Sequence, residues 1–211
     1  MAAIREPVAE APTAAWPRRR MTEEEFVRWC DEDTRAEWVD GEVIVASPPT
    51  IRHVRINRFL IQLLGLFVAQ RQQGEALGPE AQIRLVKQGR RRVPDVLFVS
   101  QERQEIIRPS HIEGAPDLVM EIVSPESLAR DWREKYLEYE AAGVREYWVI
   151  DPMAQQMEVY GLGADGQYAQ LPEAGGLIRS GVLADFYLRP EWLWQEPLPN
   201  VLDVAKEMGL L

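Results

Sequence analysis

Residues 118–123 read Leu-Val-Met-Glu-Ile-Val, and this stretch decides the fold. A short run that is almost entirely apolar is typical of a β-strand that is covered on both faces. Because side chains alternate between the two faces of a strand, Glu121 lies on the same face as Val119 and Val123. We therefore expect a central strand with a single carboxylate buried among apolar side chains.

The patterns on either side of this strand predict a layered protein. Residues 93–99 and 146–151 form two further apolar runs of strand length. Apolar residues recur at helical spacing in residues 50–73, which predicts the longest helix, and again in residues 128–142. The predicted fold class is therefore α/β, with a central sheet and helices packed against it.

A short helix and a hairpin are predicted before the longest helix. Thr22 and Glu25 have the spacing of a capping box, in which each side chain accepts a hydrogen bond from the backbone N–H of the other residue. Asp40 and Gly41 lie between two strand-like runs and suit a type I′ turn, where both central residues have positive φ. Residues 75–87 are predicted to form one strand after the longest helix.

The length of 211 residues is within the range of one globular domain. Residues 1–20 are rich in Ala, Pro and Arg without periodicity, so we expect a flexible N-terminal tail. Residues 21–194 are predicted to form the domain, and residues 195–211 a C-terminal extension.

Composition and charge exclude several classes of protein. No apolar stretch approaches the roughly 20 residues of a membrane span, and no hydrophobic signal segment is seen, so we expect a cytoplasmic protein without membrane contact. The formal net charge of -10 gives no long-range attraction to nucleic acid. Cys30 is the single cysteine and only two histidines accompany it, which excludes an intramolecular disulfide and a Cys/His zinc site. Any bound metal must therefore have oxygen ligands.

Two acids are candidates for such a metal site. Glu121 is predicted to be buried, and an ionised carboxylate without a partner costs several kcal/mol in a protein interior. Asp95 lies at the mouth of the strand at residues 93–99. Two carboxylates at neighbouring strand ends can share Mg²⁺ or Mn²⁺, because water and substrate phosphate complete the octahedron. The alternatives are an ion pair of Glu121 with an arginine, and a local role for Asp95 in accepting backbone hydrogen bonds.

Lys135 is the third candidate, on the helix predicted after the Glu121 strand. The chain has 21 Arg but only three Lys, so a position that needs merely a cation is expected to hold arginine. A compact ammonium can approach a water molecule or a scissile phosphate where the wider guanidinium fits differently. The alternative is a helix-surface pair with Asp131, four residues earlier, which stabilises a helix by only about 0.2–0.5 kcal/mol.

These candidates belong to a series of motifs that resembles the Uma-two family, bacterial proteins described as restriction endonucleases of the PD-(D/E)XK nuclease superfamily. The resemblance covers roughly residues 21–190. The motifs are Ala-Glu-Trp-Val-Asp-Gly-Glu at residues 36–42, His53, Pro94-Asp95, Asp-Leu-Val-Met-Glu-Ile-Val-Ser-Pro at residues 117–125, Asp131 with Lys135, and Gly-Val-Arg-Glu-Tyr-Trp-Val-Ile-Asp-Pro at residues 143–152.

The resemblance implies a restriction-endonuclease-like fold of the α/β (α+β) class, with a mixed central β-sheet flanked by helices. It also implies that Asp95 and Glu121 are metal ligands, that Glu37 adds an acid from the hairpin, and that Lys135 is the catalytic lysine. In the common pattern of the superfamily the lysine lies two residues after the acid, but Val123 occupies that position here. Lys135 therefore has to reach the site from the helix, as in the family that the chain resembles.

Weaker signals accompany these residues. His53 and Asp131 are candidates for residues that contact the metal ligands or the catalytic side chains rather than the metal itself. The alternative for His53 is a hydrogen bond with a backbone carbonyl. Arg90, Arg91 and Arg92 fall in a stretch without acids that is predicted to be a loop between strands. Such a loop would either contact a nucleic-acid backbone or be solvated.

The predicted function is Mg²⁺-dependent hydrolysis of DNA phosphodiester bonds, with Mg²⁺ or Mn²⁺ as cofactor and DNA as partner. We also expect a homodimer, because a two-fold dimer lets each subunit address one strand of a duplex. One alternative is a DNA-binding or protein-interaction module that keeps the nuclease fold without turnover. The other is a carboxylate cluster that serves only as a structural ion-pair network with arginines.

Overall fold

The computed structural model describes residues 20–31, 34–124 and 130–211, without the side chains of residues 130 and 131. The predicted tail therefore lies outside the described residues, except for residue 20. The helices are α1 (Glu23–Trp29), α2 (Ile51–Arg71), α3 (Lys135–Ala142), α4 (Pro190–Trp194) and α5 (Val201–Glu207). The strands are β1 (Ala36–Val39), β2 (Glu42–Val45), β3 (Gly74–Leu77), β4 (Ile83–Leu85), β5 (Arg90–Arg92), β6 (Val96–Ser100), β7 (Ile112–Glu113), β8 (Leu118–Ile122), β9 (Glu146–Asp151), β10 (Gln156–Leu162), β11 (Tyr168–Gln170), β12 (Glu173–Ala174), β13 (Leu177–Arg179) and β14 (Tyr187–Leu188).

The largest sheet has six strands in the order β11-β10-β9-β8-β6-β3. β8 and β9 pair in parallel, while the other neighbours pair antiparallel. β8 lies inside this sheet and every one of its residues is buried. The predictions of a doubly covered strand at residues 118–123 and of a mixed central sheet are confirmed.

A second sheet of five strands, in the order β2-β1-β5-β4-β7, carries the N-terminal hairpin. Asp40 and Gly41 connect β1 to β2 with φ values of 51° and 88°, which confirms the predicted turn. The capping box of Thr22 and Glu25 is also present at the start of α1. A third, small sheet contains β12, β13 and β14.

The six-stranded sheet separates two apolar clusters, as the alternation in β8 predicts. Met120 belongs to the cluster that includes side chains of α2 and α5. Val119 and Val123 belong to the cluster on the other face, together with Tyr139 of α3. Glu121 shares the face of Val119 and Val123, so its side chain points toward α3 rather than α2.

The structure differs from the sequence prediction in three segments. Residues 75–87 form two strands in different sheets, because the chain turns at Gly78 and Pro79 and proline has no N–H for a sheet ladder. Arg90–Arg92 form β5 instead of a loop. The helix predicted over residues 128–142 has a π-helical turn at Arg130–Glu134 before α3, and residues 125–129 lie outside the described residues.

The C-terminal residues pack on the first cluster. Val204 and Ala205 of α5 are buried there, with Met208 and Leu210 after the helix. No helix within the described residues is both long enough and apolar enough to cross a membrane.

Candidate active site

Asp95 and Glu121 lie together at one end of the six-stranded sheet. Val96 of β6 pairs with Met120 of β8, so Asp95, one residue before Val96, lies beside the Glu121 end of β8. The backbone N–H of Ile122 donates to Asp95 Oδ2 at 2.8 Å. Both acids are only 3 % exposed. The structure therefore brings together the two carboxylates that the sequence analysis paired.

Asp95 is held from several directions. Its Oδ1 lies 3.0 Å from Nη2 of Arg35, which directly precedes β1, and 3.0 Å from Nε2 of His53, in the first turn of α2. Nδ2 of Asn57 donates to the Asp95 backbone carbonyl at 2.9 Å. Burial raises the pKa of Asp95, but the hydrogen bond and charge of His53 and the N–H of Ile122 outweigh it. The pKa of Asp95 is therefore below its ordinary value, and this acid is a carboxylate at neutral pH.

Lys135 is buried at the start of α3, and its side chain points toward Glu121 and Glu37. Its Nζ lies 2.9 Å from Glu121 Oε1 and 3.4 Å from Glu37 Oε1. The hydroxyl of Tyr139 donates to the same Glu121 oxygen at 2.9 Å. The interpretation of Lys135 as an exposed helix-surface cation is therefore wrong. The Asp131 side chain lies outside the described residues.

Glu37 enters the site from β1. Its Oε2 accepts from Nη1 of Arg92 at 2.7 Å, and its Oε1 accepts from the backbone N–H of Val93 at 3.2 Å. Burial raises the pKa of Glu37, but the charges of Lys135 and Arg92 outweigh it and lower the pKa to about 2. Glu37 is therefore a permanent anion that binds the ammonium of Lys135.

Arg92 connects the hairpin to α3. Its Nε and Nη2 donate to the two carboxylate oxygens of Glu138 at 2.7 and 2.6 Å, while Nη1 binds Glu37. The side chain of Arg92 has no exposed surface. Glu138 follows Lys135 by three residues, so this pairing fixes the helix face from which Lys135 reaches Glu121.

The prediction that Arg90, Arg91 and Arg92 form a loop between strands is wrong, because they form β5, and little of Arg91 and Arg92 is exposed for a nucleic-acid contact. Arg92 is enclosed and cannot reach a phosphate backbone. Arg91 is buried and donates to Glu23 at 2.8 Å, while the partly exposed Arg90 pairs with Asp40 and Glu138. The physical reason is that each guanidinium in β5 has a carboxylate partner from another segment of the chain.

A cavity of about 460 Å³ opens onto these groups. The charged and titratable side chains that line it include those of Arg35, Glu37, His53, Asp95, Glu121 and Lys135. Its apolar lining includes Val45, Pro48, Pro49, Pro152 and Met153. The candidate residues of the hairpin, α2, β6, β8 and α3 thus meet in one solvent-connected space.

The carboxylates of the cavity are oxygen donors of the kind that Mg²⁺ prefers. No group of three or more His, Cys, Asp or Glu side chains in residues 20–31, 34–124 and 130–211 has the arrangement of a self-contained metal site. Asp95 and Glu121 nevertheless provide two carboxylates in one cavity, and Mg²⁺ commonly takes one or two carboxylates with water and substrate phosphate as its other ligands. The chemistry of this pair fits Mg²⁺ or Mn²⁺, and Glu37 contacts the ammonium of Lys135 and the guanidinium of Arg92.

Several side chains of the site were not predicted from the sequence. They are Arg35, Asn57, Glu138 and Tyr139, while Arg92 was predicted as a nucleic-acid contact and not as the partner of Glu37 and Glu138. Glu138 and Tyr139 could have been found, because residues three and four positions after Lys135 share its helix face. Arg35 lies two residues before Glu37, which is the spacing of one strand face.

Comparison with known proteins assigns the family. The sequence model of the Uma2 family, described as "Putative restriction endonuclease", matches residues 23–188. The chain belongs to the Uma2 family. This confirms the resemblance read from the sequence motifs. No curated protein matches the chain.

A solved structure supports the fold of this Uma2 protein. It is similar to the crystal structure of a "putative nuclease belonging to DUF820" from Anabaena variabilis, with a TM-score of 0.69 and 20 % sequence identity. The match covers 82 % of this chain and 97 % of the other. The restriction-endonuclease-like architecture is therefore shared across nearly the whole of the solved protein.

Proposed function

We propose that this Uma2 protein is a Mg²⁺-dependent endonuclease that hydrolyses DNA phosphodiester bonds. The observation that carries the proposal is the contact of Lys135 Nζ with Glu121 Oε1 at 2.9 Å in the cavity that also contains Asp95. Buried ion pairs are a weak source of stability, because desolvation offsets much of the attraction. Charged groups that are buried yet border a cavity are therefore better explained by chemistry than by folding. Family membership supports a nuclease role.

Asp95 and Glu121 would hold the metal in this proposal. When bound, Mg²⁺ would lower the pKa of a coordinated water and neutralise charge that builds on the phosphate. The chain contributes two carboxylates that the sheet holds in place, since Asp95 is fixed by the backbone of Ile122 and Glu121 by the hydroxyl of Tyr139.

Lys135 would position and polarise the attacking water. The water oxygen would form a bond to phosphorus as the bond to one ester oxygen breaks. The attacking water would release a proton to solvent and the departing ester oxygen would take one up, leaving a phosphate on one fragment and a hydroxyl on the other. Glu37 is a positioning residue, because it contacts Lys135 rather than the reacting atoms. Its pKa of about 2 keeps it charged, so the ammonium stays oriented toward Glu121 over the working pH range.

One observation favours a second candidate function. The net charge of -10 opposes approach to DNA, which is what a protein-interaction or weak DNA-binding module without turnover would show. Such a module would keep the ion pairs of Lys135 and Arg92 for their structure alone.

Titration calorimetry with Mn²⁺ on the parent and on Glu121→Ala tests the proposal. We expect binding by the parent and loss of at least about tenfold in affinity in the variant, because a two-carboxylate site is reduced to one. Glu105→Ala is the matched control, since Glu105 is exposed beyond the far end of β6. Equal Mn²⁺ binding by the parent and Glu121→Ala would contradict the proposal.

We also propose a homodimer, in which two such sites address the two strands of a duplex. Light scattering at micromolar concentration is expected to give twice the mass of the 24.2 kDa chain. A monomer mass would remove this part of the proposal.

A further inference from the structure

Arg35 is the cation at the solvent side of the candidate metal site. Its Nη2 lies 3.0 Å from Asp95 Oδ1, and 36 % of the Arg35 side chain is exposed against 5 % of the Asp95 side chain. Because part of the Arg35 side chain reaches solvent, its guanidinium can turn from Asp95 to another partner while it stays in contact with water.

The two oxygens of Asp95 differ in the kind of partner that holds them. Oδ2 accepts from the backbone N–H of Ile122, which the pairing of the sheet fixes. Oδ1 is contacted by two side chains, those of Arg35 and His53. A divalent cation that binds Asp95 therefore approaches Oδ1 more readily than Oδ2, and it has to compete there with Arg35.

Other arginines near the site are not available for exchange in this way. Arg92 is fully buried and divides its donors between Glu37 and Glu138. Arg52 also lines the cavity, but its guanidinium donates to the backbone carbonyls of Leu193 and Gln195. Arg35 is held by a carboxylate that the proposed function assigns to the metal.

We propose that Arg35 is the phosphate-binding residue of the site and that its guanidinium leaves Asp95 when a divalent cation binds there. The planar guanidinium matches the geometry of a phosphate group and can bind two of its oxygens at once. The released Arg35 would remain in the cavity, which it lines, with more than a third of its side chain reaching solvent. This inference rests on the proposed function and adds the residue that binds substrate and competes with the metal.

The proposal predicts effects of opposite sign on two ligands. In Arg35→Gln, Mn²⁺ affinity without substrate should rise by about two- to fivefold, because a competing cation has been removed. Affinity for thymidine bisphosphate in the presence of Ca²⁺ should fall by about tenfold, because a charge-assisted contact has been lost. Substitution of a residue with only a structural role would lower the affinity for both ligands or for neither.

Both affinities are measured by titration calorimetry, with melting temperatures measured alongside. Arg28→Gln is the matched control, because it removes the same charge from an exposed position on α1 outside the cavity. Arg35→Lys keeps the charge without the planar fork, so we expect Mn²⁺ affinity near that of the parent and bisphosphate affinity between those of the parent and Arg35→Gln. If Arg35→Gln does not fold, the comparison of Arg35→Lys with the parent decides the question: bisphosphate affinity should be lower in Arg35→Lys while Mn²⁺ affinity is unchanged.

The outcomes separate this inference from the proposed function. If the parent binds Mn²⁺ through Glu121 but Arg35→Gln matches Arg28→Gln for both ligands, only the role of Arg35 is overturned. Weaker Mn²⁺ binding by Arg35→Gln than by the parent would also overturn it. If the parent binds no Mn²⁺, the proposed function and this inference fail together.

Discussion

Glu121 and Glu146 are buried glutamates on the neighbouring strands β8 and β9, but they lie at opposite ends and on opposite faces of the sheet. The donors to Glu146 are uncharged and include Trp148 Nε1 at 2.7 Å, the backbone N–H groups of Gly181 and Val182 at 2.6 and 3.1 Å, and the side chain of Ser180. Burial raises the pKa of Glu146, and these hydrogen bonds do not outweigh it.

The acids on the α3 face have cations instead. Lys135 binds Glu121 and Glu37, and the charges of Lys135 and Arg92 hold the pKa of Glu37 at about 2. Glu121 also lines the cavity, whereas Glu146 is not among the cavity residues. A buried acid alone therefore does not identify the candidate active site in this fold. The acids of the candidate site also have buried cations as partners and line a cavity that is open to solvent.

The largest effect on stability is expected from removing the buried cation of Arg92. Arg92→Met leaves Glu37 and Glu138 buried without their common partner, and removing one member of a buried ion pair costs about 3–5 kcal/mol. We expect a loss of about 5 kcal/mol in the free energy of unfolding by urea denaturation, because two carboxylates are affected. A loss below about 1 kcal/mol would show that Arg92 does not carry this network.

The next largest effect is expected in how the free energy of unfolding changes at acid pH. The folded pKa of Glu37 is about 2, below its ordinary value of 4.5, so the unfolded chain binds more protons between these pH values. Stability from Glu37 is therefore complete above pH 4.5 and is lost as the pH falls toward 2, by up to about 3 kcal/mol. Urea unfolding at a series of pH values should show a shallower acid limb in Glu37→Gln than in the parent. Identical limbs would contradict the cationic environment of Glu37.

Glu146→Gln tests the comparison at the buried glutamate on the opposite face of the sheet. One oxygen acceptor becomes an NH₂ group that faces a donor, which we expect to cost about 2 kcal/mol in the free energy of unfolding. Mn²⁺ affinity should remain that of the parent, because Glu146 lies away from the cavity. A loss of Mn²⁺ affinity comparable to that in Glu121→Ala would mean that the two buried glutamates are not distinct in function.

Much of the fold was predictable from local patterns. The apolar runs identified β6, β8 and β9, and alternation placed Glu121 on the correct face. Alternation alone could not predict how Glu121, inside β8, and Glu146, at the start of β9, differ, since the difference lies in partners from other elements. The grouping of Asp95, Glu121 and Lys135 as a candidate site depended on the resemblance of their motifs to a family.

The ion-pair network could not be predicted in the same way. Three consecutive arginines are typical of a solvated loop, and the carboxylates that bury Arg92 lie 55 and 46 residues away in the sequence, at Glu37 and Glu138. Similarly, the strand predicted over residues 75–87 divides between two sheets, because Pro79 interrupts the hydrogen-bond pattern rather than the hydrophobic one.

The central claim is that Lys135 acts in catalysis on the α3 face of the sheet. Metal-dependent cleavage of plasmid DNA by the parent and Lys135→Arg tests this claim most directly. The substitution keeps the positive charge, and the adjoining cavity has room for the wider guanidinium, so we expect a stability change within about 1 kcal/mol. Misplacement of the charge relative to the attacking water should slow cleavage about a hundredfold, equivalent to about 3 kcal/mol of transition-state stabilisation. Lys206→Arg, at an exposed site on α5, is the control and should cleave like the parent. Equal rates for the parent and Lys135→Arg would contradict the account, and absence of cleavage by the parent with either Mg²⁺ or Mn²⁺ would favour the non-catalytic module.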